Sequence, residues 1–120
     1  MTEFDERTMR IRDLNDQYRA DTCFPLGPHL HNGRLVITHG VALRGNEFID
    51  CAMRAVREYT DFTPENDPYG EHDFGTFTLG ELLLFWKINC FDHSYEYGSP
   101  DPADAEKTRR VLTIMLAAEY

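Results

Sequence analysis

The sequence predicts an α+β fold, in which a small antiparallel sheet with a central hairpin is packed by about three helices. Two segments carry apolar residues at helical spacing, one near the N-terminus and one after Asn46. Residues 74–92 form two apolar segments joined by Gly80 and Glu81, which is typical of a β-hairpin. The chain has 120 residues, 42% of them apolar, and can bury one core. We therefore expect a single domain over residues 1–120.

The first half of the chain is predicted to contain two helices and one strand. Residues 2–20 form a helix capped by Thr2, and a loop rich in Pro and Gly follows. Residues 34–43 form a strand with a bend or bulge at Gly40. A second helix begins at Asn46, a good N-cap residue. Its apolar stripe consists of Phe48, Ile49, Ala52, Met53, Val56 and Tyr59.

The second half is predicted to contain a loop, the hairpin and a final helix. Residues 61–73 form the loop, because two Pro and one Gly interrupt any regular pattern. Residues 74–79 and 82–92 are the two strands of the hairpin. Asp101 and Pro102 are suited to begin the helix, although the Val, Thr and Ile that follow leave a strand as the alternative. The stripe of the expected helix is Val111, Ile114, Met115 and Ala118.

The sequence also argues against several classes of protein. The longest apolar run, residues 82–86, is much shorter than the roughly 20 residues that cross a bilayer. Residues 1–10 mix acids and arginines and are unlike a secretory signal. The three cysteines show no CxxC spacing, which argues against a disulfide framework or a thiolate zinc site. We expect a cytoplasmic protein with no cofactor, no bound metal and no membrane partner.

Acidic residues dominate the middle of the chain. The net charge is −9, and residues 58–106 contain twelve acids and a single base, Lys87. Such a segment repels nucleic-acid phosphates and attracts basic surfaces, so we expect no direct binding of nucleic acid. The alternative is a solvated acidic face that only keeps the protein in solution. Aromatic residues lie among these acids, namely Tyr59, Phe62, Tyr69, Phe74, Tyr95 and Tyr97.

Residues 66–73 are the densest group of reactive side chains. Asp67, Glu71, His72 and Asp73 are all metal-ligand types, so a metal-dependent hydrolase or nuclease is one hypothesis. The spacing matches neither an EF-hand loop nor HExxH, and successive side chains of an extended chain point to opposite sides. A turn held by the segment's own Asn and Asp side chains is a second interpretation. A loop that contacts a partner is a third.

Four stretches of the sequence are similar to a bacterial protein family. They are NDPYGEHDFG at 66–75, FWKI at 85–88, SPDPAD at 99–104 and TRRVLTIMLAAEY at 108–120. Together they resemble the family catalogued as domain of unknown function 3768, from about Arg10 to the C-terminus. Members of that family are similar to small proteins carried by plasmids and other mobile elements. The resemblance implies a role in dealing with host defences, and it supplies no catalytic residues.

We expect an interaction protein rather than an enzyme. Its acidic face would occupy a basic, nucleic-acid-binding surface of a host defence protein or complex, as an anti-CRISPR or anti-restriction inhibitor does. Carboxylates would stand in for phosphates, and tyrosines would add apolar contact. General acid–base chemistry would require Glu71, His72 and His93 to meet in the fold. The expected partner-binding residues are Glu65, Asp67, Tyr69, Glu71, His72, Asp73, Asp92, Tyr95 and Glu96.

Overall fold

The computed structural model describes residues 5–23 and 33–120. These residues contain three helices and one four-stranded sheet of order β1-β4-β3-β2, which confirms the α+β class. The hairpin turns at Gly80, whose φ of 62° suits glycine. The helices are α1 (Glu6–Thr22), α2 (His39–Ala42) and α3 (Asn46–Arg57). The strands are β1 (Gly33–Ile37), β2 (Phe74–Leu79), β3 (Leu82–Phe91) and β4 (Arg109–Leu116), and single 3₁₀ turns occupy Ala105–Lys107 and Ala117–Glu119.

The sheet is mixed rather than purely antiparallel. β3 pairs antiparallel with both β2 and β4, as expected of a hairpin and its extension. β1, however, runs parallel to β4, with Leu35 opposite Leu112 and Ile37 opposite Ile114. The chain leaves β3 at the end of the sheet where β1 begins. β4 therefore starts at that end and runs in the same direction as β1.

The prediction of a final helix after Asp101 is wrong. The chain instead forms the alternative, a strand, over Arg109–Leu116. The capping signals are real but local. Asp101 accepts a hydrogen bond from the Ala103 amide, and Asp104 accepts one from the Glu106 amide, which starts only a single 3₁₀ turn. The following residues insert between β1 and β3, where burial and pairing on both sides outweigh a helical apolar stripe.

Other boundaries also differ from the predictions. β1 ends at Ile37, and Gly40 belongs to α2, where its N–H donates to Glu119 Oε2 at 2.8 Å. The expected strand to Leu43 is therefore interrupted by a helical turn. The cap of α1 is Asp5, whose carboxylate accepts from the Thr8 amide, while Thr2 lies outside the described residues. The N-cap of α3 is Gly45 rather than Asn46.

The core lies between the sheet and the helices α1 and α3. Leu84, Trp86, Leu112 and Ile114 share one face of the sheet and are completely buried. Arg19 of α1 is also buried, and it joins these layers through contacts with α3 and the sheet. Its Nη1 donates to the carbonyls of Val56 at 2.7 Å and Tyr59 at 3.0 Å, and its guanidinium lies 4.9 Å from the Trp86 ring centroid. No helix within the described ranges is long and apolar enough to cross a membrane.

Candidate functional site

Two acidic connections lie at one end of the sheet. The first connection, residues 58–73, leads into β2, and the second connection, residues 92–108, leads from β3 to β4. Because β2 and β3 are antiparallel, the start of β2 and the end of β3 meet at the same end. Six acids belong to the first connection and five to the second. Of the twelve acids in residues 58–106, only Glu81 lies at the opposite end, in the hairpin turn.

Few of these eleven carboxylates are neutralised by ion pairs. Asp101 lies 3.4 Å from Arg7 Nη2, Glu58 lies 3.7 Å from Arg54 Nε, and Asp67 faces an imidazole. Within residues 5–23 and 33–120, no Lys, Arg or His approaches the other eight within 4.0 Å. Those eight are Asp61, Glu65, Glu71, Asp73, Asp92, Glu96, Asp104 and Glu106.

His72 is the centre of the contacts made by the first connection. Its backbone adopts a φ of 54°, a left-handed conformation that is uncommon for a non-glycine residue. Its ring stacks on Phe62, with ring centroids 3.7 Å apart and planes inclined by 2°. Nδ1 lies 2.9 Å from Oδ1 of Asp16 on α1, and Asp16 also accepts from Arg19 Nη2 at 3.0 Å. These contacts hold the ring in one orientation.

Asp67 faces the other nitrogen of the ring. Its Oδ1 accepts a hydrogen bond from the His72 backbone amide at 3.1 Å, and its Oδ2 lies 3.7 Å from His72 Nε2. The Asp67 side chain is only 6% exposed. Both residues line an open cleft of about 450 Å³. The cleft is lined by Arg12, Phe62, Thr63, Pro64, Asp67, Pro68 and His72.

Local hydrogen bonds shape the wall of this cleft. Asn66 Oδ1 accepts from the Thr63 amide at 3.0 Å, and Thr63 Oγ1 accepts from the Asn66 amide at 3.3 Å. The Asp67 amide then donates to the Thr63 carbonyl at 2.8 Å. The Asn and Asp side chains of the segment therefore hold a turn, as the second interpretation of this loop expected.

Glu71 and Asp73 follow as half-buried carboxylates. Partial burial raises the pKa of Glu71, and the charge of Asp73 adds to the effect. Burial also raises the pKa of Asp73, with a further contribution from the charge of Asp67. The first connection is thus tight enough for its carboxylates to repel one another.

In the second connection, one carboxylate organises a local turn. Asp92 Oδ1 accepts from Ser94 Oγ at 3.0 Å and from the Glu96 and Tyr97 amides at 3.1 and 3.4 Å. Desolvation acts to raise the pKa of Asp92, but these hydrogen bonds outweigh it and lower the pKa. Tyr95, with a φ of 60°, lays its ring 3.8 Å from the Arg34 guanidinium.

The predicted partner-binding residues differ in exposure. Glu65, Tyr69 and Glu96 are exposed, and Tyr69 is 75% exposed. Asp67 is buried and directs its carboxylate to His72. The remaining five are half-buried, namely Glu71, His72, Asp73, Asp92 and Tyr95.

A scan of family models decides the family. The model described as "Protein of unknown function (DUF3768)" matches residues 37–119, well over half of the chain. The chain belongs to this family. The match includes both acidic connections, whereas Arg12, Asp16 and Arg19 of α1 lie outside it. Searches among curated proteins and among solved structures gave no match.

The arrangement bears on the two chemical hypotheses. Among the described residues, no group of three or more His, Cys, Asp or Glu side chains is placed to hold a metal ion, so Asp67, Glu71, His72 and Asp73 do not converge on one point. His93 lies 2.5 Å from the Glu106 carbonyl and lines a different depression from that of His72. What the site offers is one oriented imidazole, with Nε2 facing a buried carboxylate at a cleft.

Asp16 and Arg12 were not predicted as members of this site, and Phe62 was predicted only as one of the aromatic residues among the acids. Asp16 and Arg12 lie on α1, more than fifty positions from the loop that they contact. One indirect signal was present. Arg12, Asn15, Asp16 and Arg19 recur at helical spacing, so that a polar stripe accompanies the apolar stripe of α1. A polar stripe of this kind can indicate a second surface that the helix contacts.

Proposed function

We propose that this protein is a small acidic interaction protein of mobile-element type. It inhibits a host defence system, as anti-CRISPR or anti-restriction proteins do, by occupying a basic, nucleic-acid-binding surface of a host protein or complex. The observation that carries the proposal is the position of eleven of the twelve acids of residues 58–106 on two connections at the same end of the sheet.

Charge supports this proposal. Eight of these acids have no Lys, Arg or His of the described residues within 4.0 Å, so much of their field is available to a basic surface. A polyanion of this kind competes with nucleic-acid phosphates for the same lysines and arginines. Because salt screens such attraction, the affinity is expected to fall as ionic strength rises.

Exposed tyrosines support it as well. Tyr69 in the first connection and Tyr97 in the second are 75% and 71% exposed, and each stands among acids. Tyrosine is enriched at protein interfaces because it combines apolar area with a hydroxyl group. A stable interface needs on the order of 800 Å² from each partner, which two neighbouring connections can contribute.

The test is capture of a host partner followed by a nucleic-acid competition. The tagged protein is incubated with host lysate at low and high salt, and the captured protein is identified and purified. Adding the wild-type protein should release labelled nucleic acid from that partner, as measured by fluorescence anisotropy. The double variant Glu65→Gln/Glu96→Gln should release it at least tenfold less effectively, because two exposed charges of the acidic end are lost.

Glu81→Gln is the matched control, because it removes an exposed acid of the same segment at the opposite end of the sheet. It should behave as the wild type. The proposal fails if no basic nucleic-acid-binding protein is captured at either salt concentration. It also fails if the captured partner keeps its nucleic acid, or if Glu81→Gln and the double variant have the same effect.

The metal-dependent hydrolase or nuclease has no comparable support. It requires Asp67, Glu71, His72 and Asp73 to share one ion, and the described side chains form no such group. The density of acids at this end would in addition repel a nuclease substrate. The binding proposal is the one that the geometry favours.

A further inference from the structure

Two polar atoms of residues that line the cleft, Nε2 of His72 and Oδ2 of Asp67, lie 3.7 Å apart. The Asp16 carboxylate can only accept, so the Nδ1 atom of His72 carries the proton in their 2.9 Å hydrogen bond. In the neutral imidazole, Nε2 is then an acceptor, and it lies 3.7 Å from Oδ2 of Asp67, a second acceptor. This separation is too long for a direct hydrogen bond. A single donor atom placed between them can reach both, because each bond needs only about 2.9 Å.

We propose that the cleft receives one cationic side chain, the ammonium of a lysine or the guanidinium of an arginine, from the basic surface of the partner. This inference rests on the proposed function, and it assigns the first connection a pocket in addition to its charge. The cationic nitrogen donates to His72 Nε2 and to Asp67 Oδ2. The stem of the side chain passes between Phe62, Pro64 and Pro68, which line the same cleft.

Charge complementarity identifies the occupant as a cation. Asp67 is a buried carboxylate that lines the cleft, and it lies within a connection that contains six acids. A buried carboxylate gains most from a partner that brings both a charge and donors. The site is also preorganised, since the stacking on Phe62 and the bond to Asp16 fix the imidazole before any ligand arrives.

Arg12 provides a discriminating feature. It lines the cleft, and its Nε donates to the Gly70 carbonyl at 2.7 Å. Its positive charge repels a cationic occupant and attracts an anionic one. Replacing Arg12 by Gln therefore strengthens binding of a cation and weakens binding of an anion, so the sign of the change identifies the class of ligand.

The test is an NMR titration of the full chain with isotope-labelled histidine, in which the His72 ring signals report occupancy. The probes are N-acetyl-arginine amide and N-acetyl-lysine amide, with N-acetyl-glutamine amide as the uncharged control. The cationic probes should shift the His72 signals in a saturable manner, and the uncharged probe should not. Asp67→Asn keeps an acceptor for the His72 amide but removes the charge, and should weaken binding at least tenfold. Arg12→Gln should strengthen it severalfold.

The matched control is Glu81→Gln, an exposed acid in the hairpin turn at the opposite end of the sheet from the cleft, and it should bind like the wild type. His72→Asn is a second variant for the case that Asp67→Asn does not fold, because Asn tolerates a left-handed backbone. It should also weaken binding, which is followed in this variant by the backbone amide signals of residues 66–73, since the ring reporter is lost. The inference is overturned if the probes leave the His72 signals unchanged, if the uncharged probe binds equally well, or if Arg12→Gln weakens binding.

Failure of the pocket can be distinguished from failure of the proposed function. If a basic partner is captured but neither cationic probe binds, the partner recognises the acidic end without this pocket, and only the further inference is wrong. If the probes bind and no basic partner is captured, the cleft is a cation site and the inhibitory function is wrong.

Discussion

The two acidic connections carry similar charge but are held in place by different means. The first connection is bound to α1 by contacts that are distant in sequence. Arg12 donates to the Gly70 carbonyl, Asn15 donates to the Glu71 carbonyl, and Asp16 bonds the His72 ring. The second connection bonds largely to itself, through turns organised by Asp92, Asp101 and Asp104.

The difference shows that a count of acids does not reveal what each acid does. In the first connection, Asp67 is buried, and the contact with Asp16 of α1 orients His72 beside a cleft. In the second connection, Glu96 stays exposed and contributes charge only. A docked loop is suited to recognise one side chain, whereas a self-contained loop is suited to long-range attraction.

The largest expected effect is a difference in stability between Arg19→Ala and Arg7→Ala, two substitutions of arginines on α1 that contact these connections. Arg19→Ala removes a buried guanidinium that bonds the Val56 and Tyr59 carbonyls and Asp16, so stability should fall by about 3 kcal/mol or more. Arg7→Ala removes a largely exposed pair with Asp101 and should cost at most about 1 kcal/mol. Urea unfolding followed by circular dichroism measures both. Equal losses would show that the two connections are anchored equally.

An intermediate effect is expected at Asn15. The Asn15 side chain is buried. Its Oδ1 accepts a hydrogen bond from Arg110 Nε at 2.7 Å, and its Nδ2 donates one to the Glu71 carbonyl. Asn15→Ala leaves the Nε of the buried Arg110 without its acceptor, although Nη2 still donates to the Pro102 carbonyl, and stability should fall by about 2 kcal/mol. Gln17→Ala, an exposed amide on the same helix, should change it little. If the two variants are equally stable, the contact between α1 and the first connection contributes nothing.

The smallest expected effect concerns pH. The pKa of Glu71 is raised in the folded state above its ordinary value of 4.5. The stability that this group contributes is therefore present below pH 4.5 and is lost as pH rises through the folded pKa. Glu71→Gln should therefore be more stable than the wild type at pH 7, and this gain should vanish in acid.

Asp92 should show the opposite sign, because its pKa is lowered in the folded state. The stability that Asp92 contributes is present above pH 3.8 and is lost as pH falls through the folded pKa. Asp92→Asn should be slightly less stable at pH 7. Unfolding midpoints of Glu71→Gln and Asp92→Asn, measured over pH 3–7, show whether each change stabilises or destabilises the protein. A change in the same direction for both variants would contradict the expected difference between the two connections.

Most of the fold could be predicted, because its signals were local. The apolar stripe of α3, the Gly80 turn and the loop at 61–73 all depend on residues close together in sequence. β4 was the main exception, besides the helical turn α2. Asp101 and Pro102, which precede β4, form turn structure that resembles the start of a helix, and only pairing with β1 and β3 decides that Leu112 and Ile114 belong to a strand.

The candidate site could be predicted only in part, for a related reason. The segment 66–73 was identified because its reactive side chains are adjacent. The partners that orient His72 could not be identified, since Asp16 reaches the ring only when α1 packs on the core, and the stacking on Phe62 requires the connection to fold back on itself. The left-handed φ of His72 could not be predicted either, because the residues next to it in the sequence are equally compatible with an extended backbone at this position.

The position of β4 has a consequence for how the protein assembles during translation. β4 lies between β1 and β3, yet it is made after both of them. Until the ribosome has released it, the nascent chain holds a hairpin and an isolated strand, each with an unpaired edge. Such non-local closure is slow, and the incomplete sheet is the species most exposed to aggregation or chaperone capture. A chain stopped before Arg109 should therefore remain unfolded, however well its helices form.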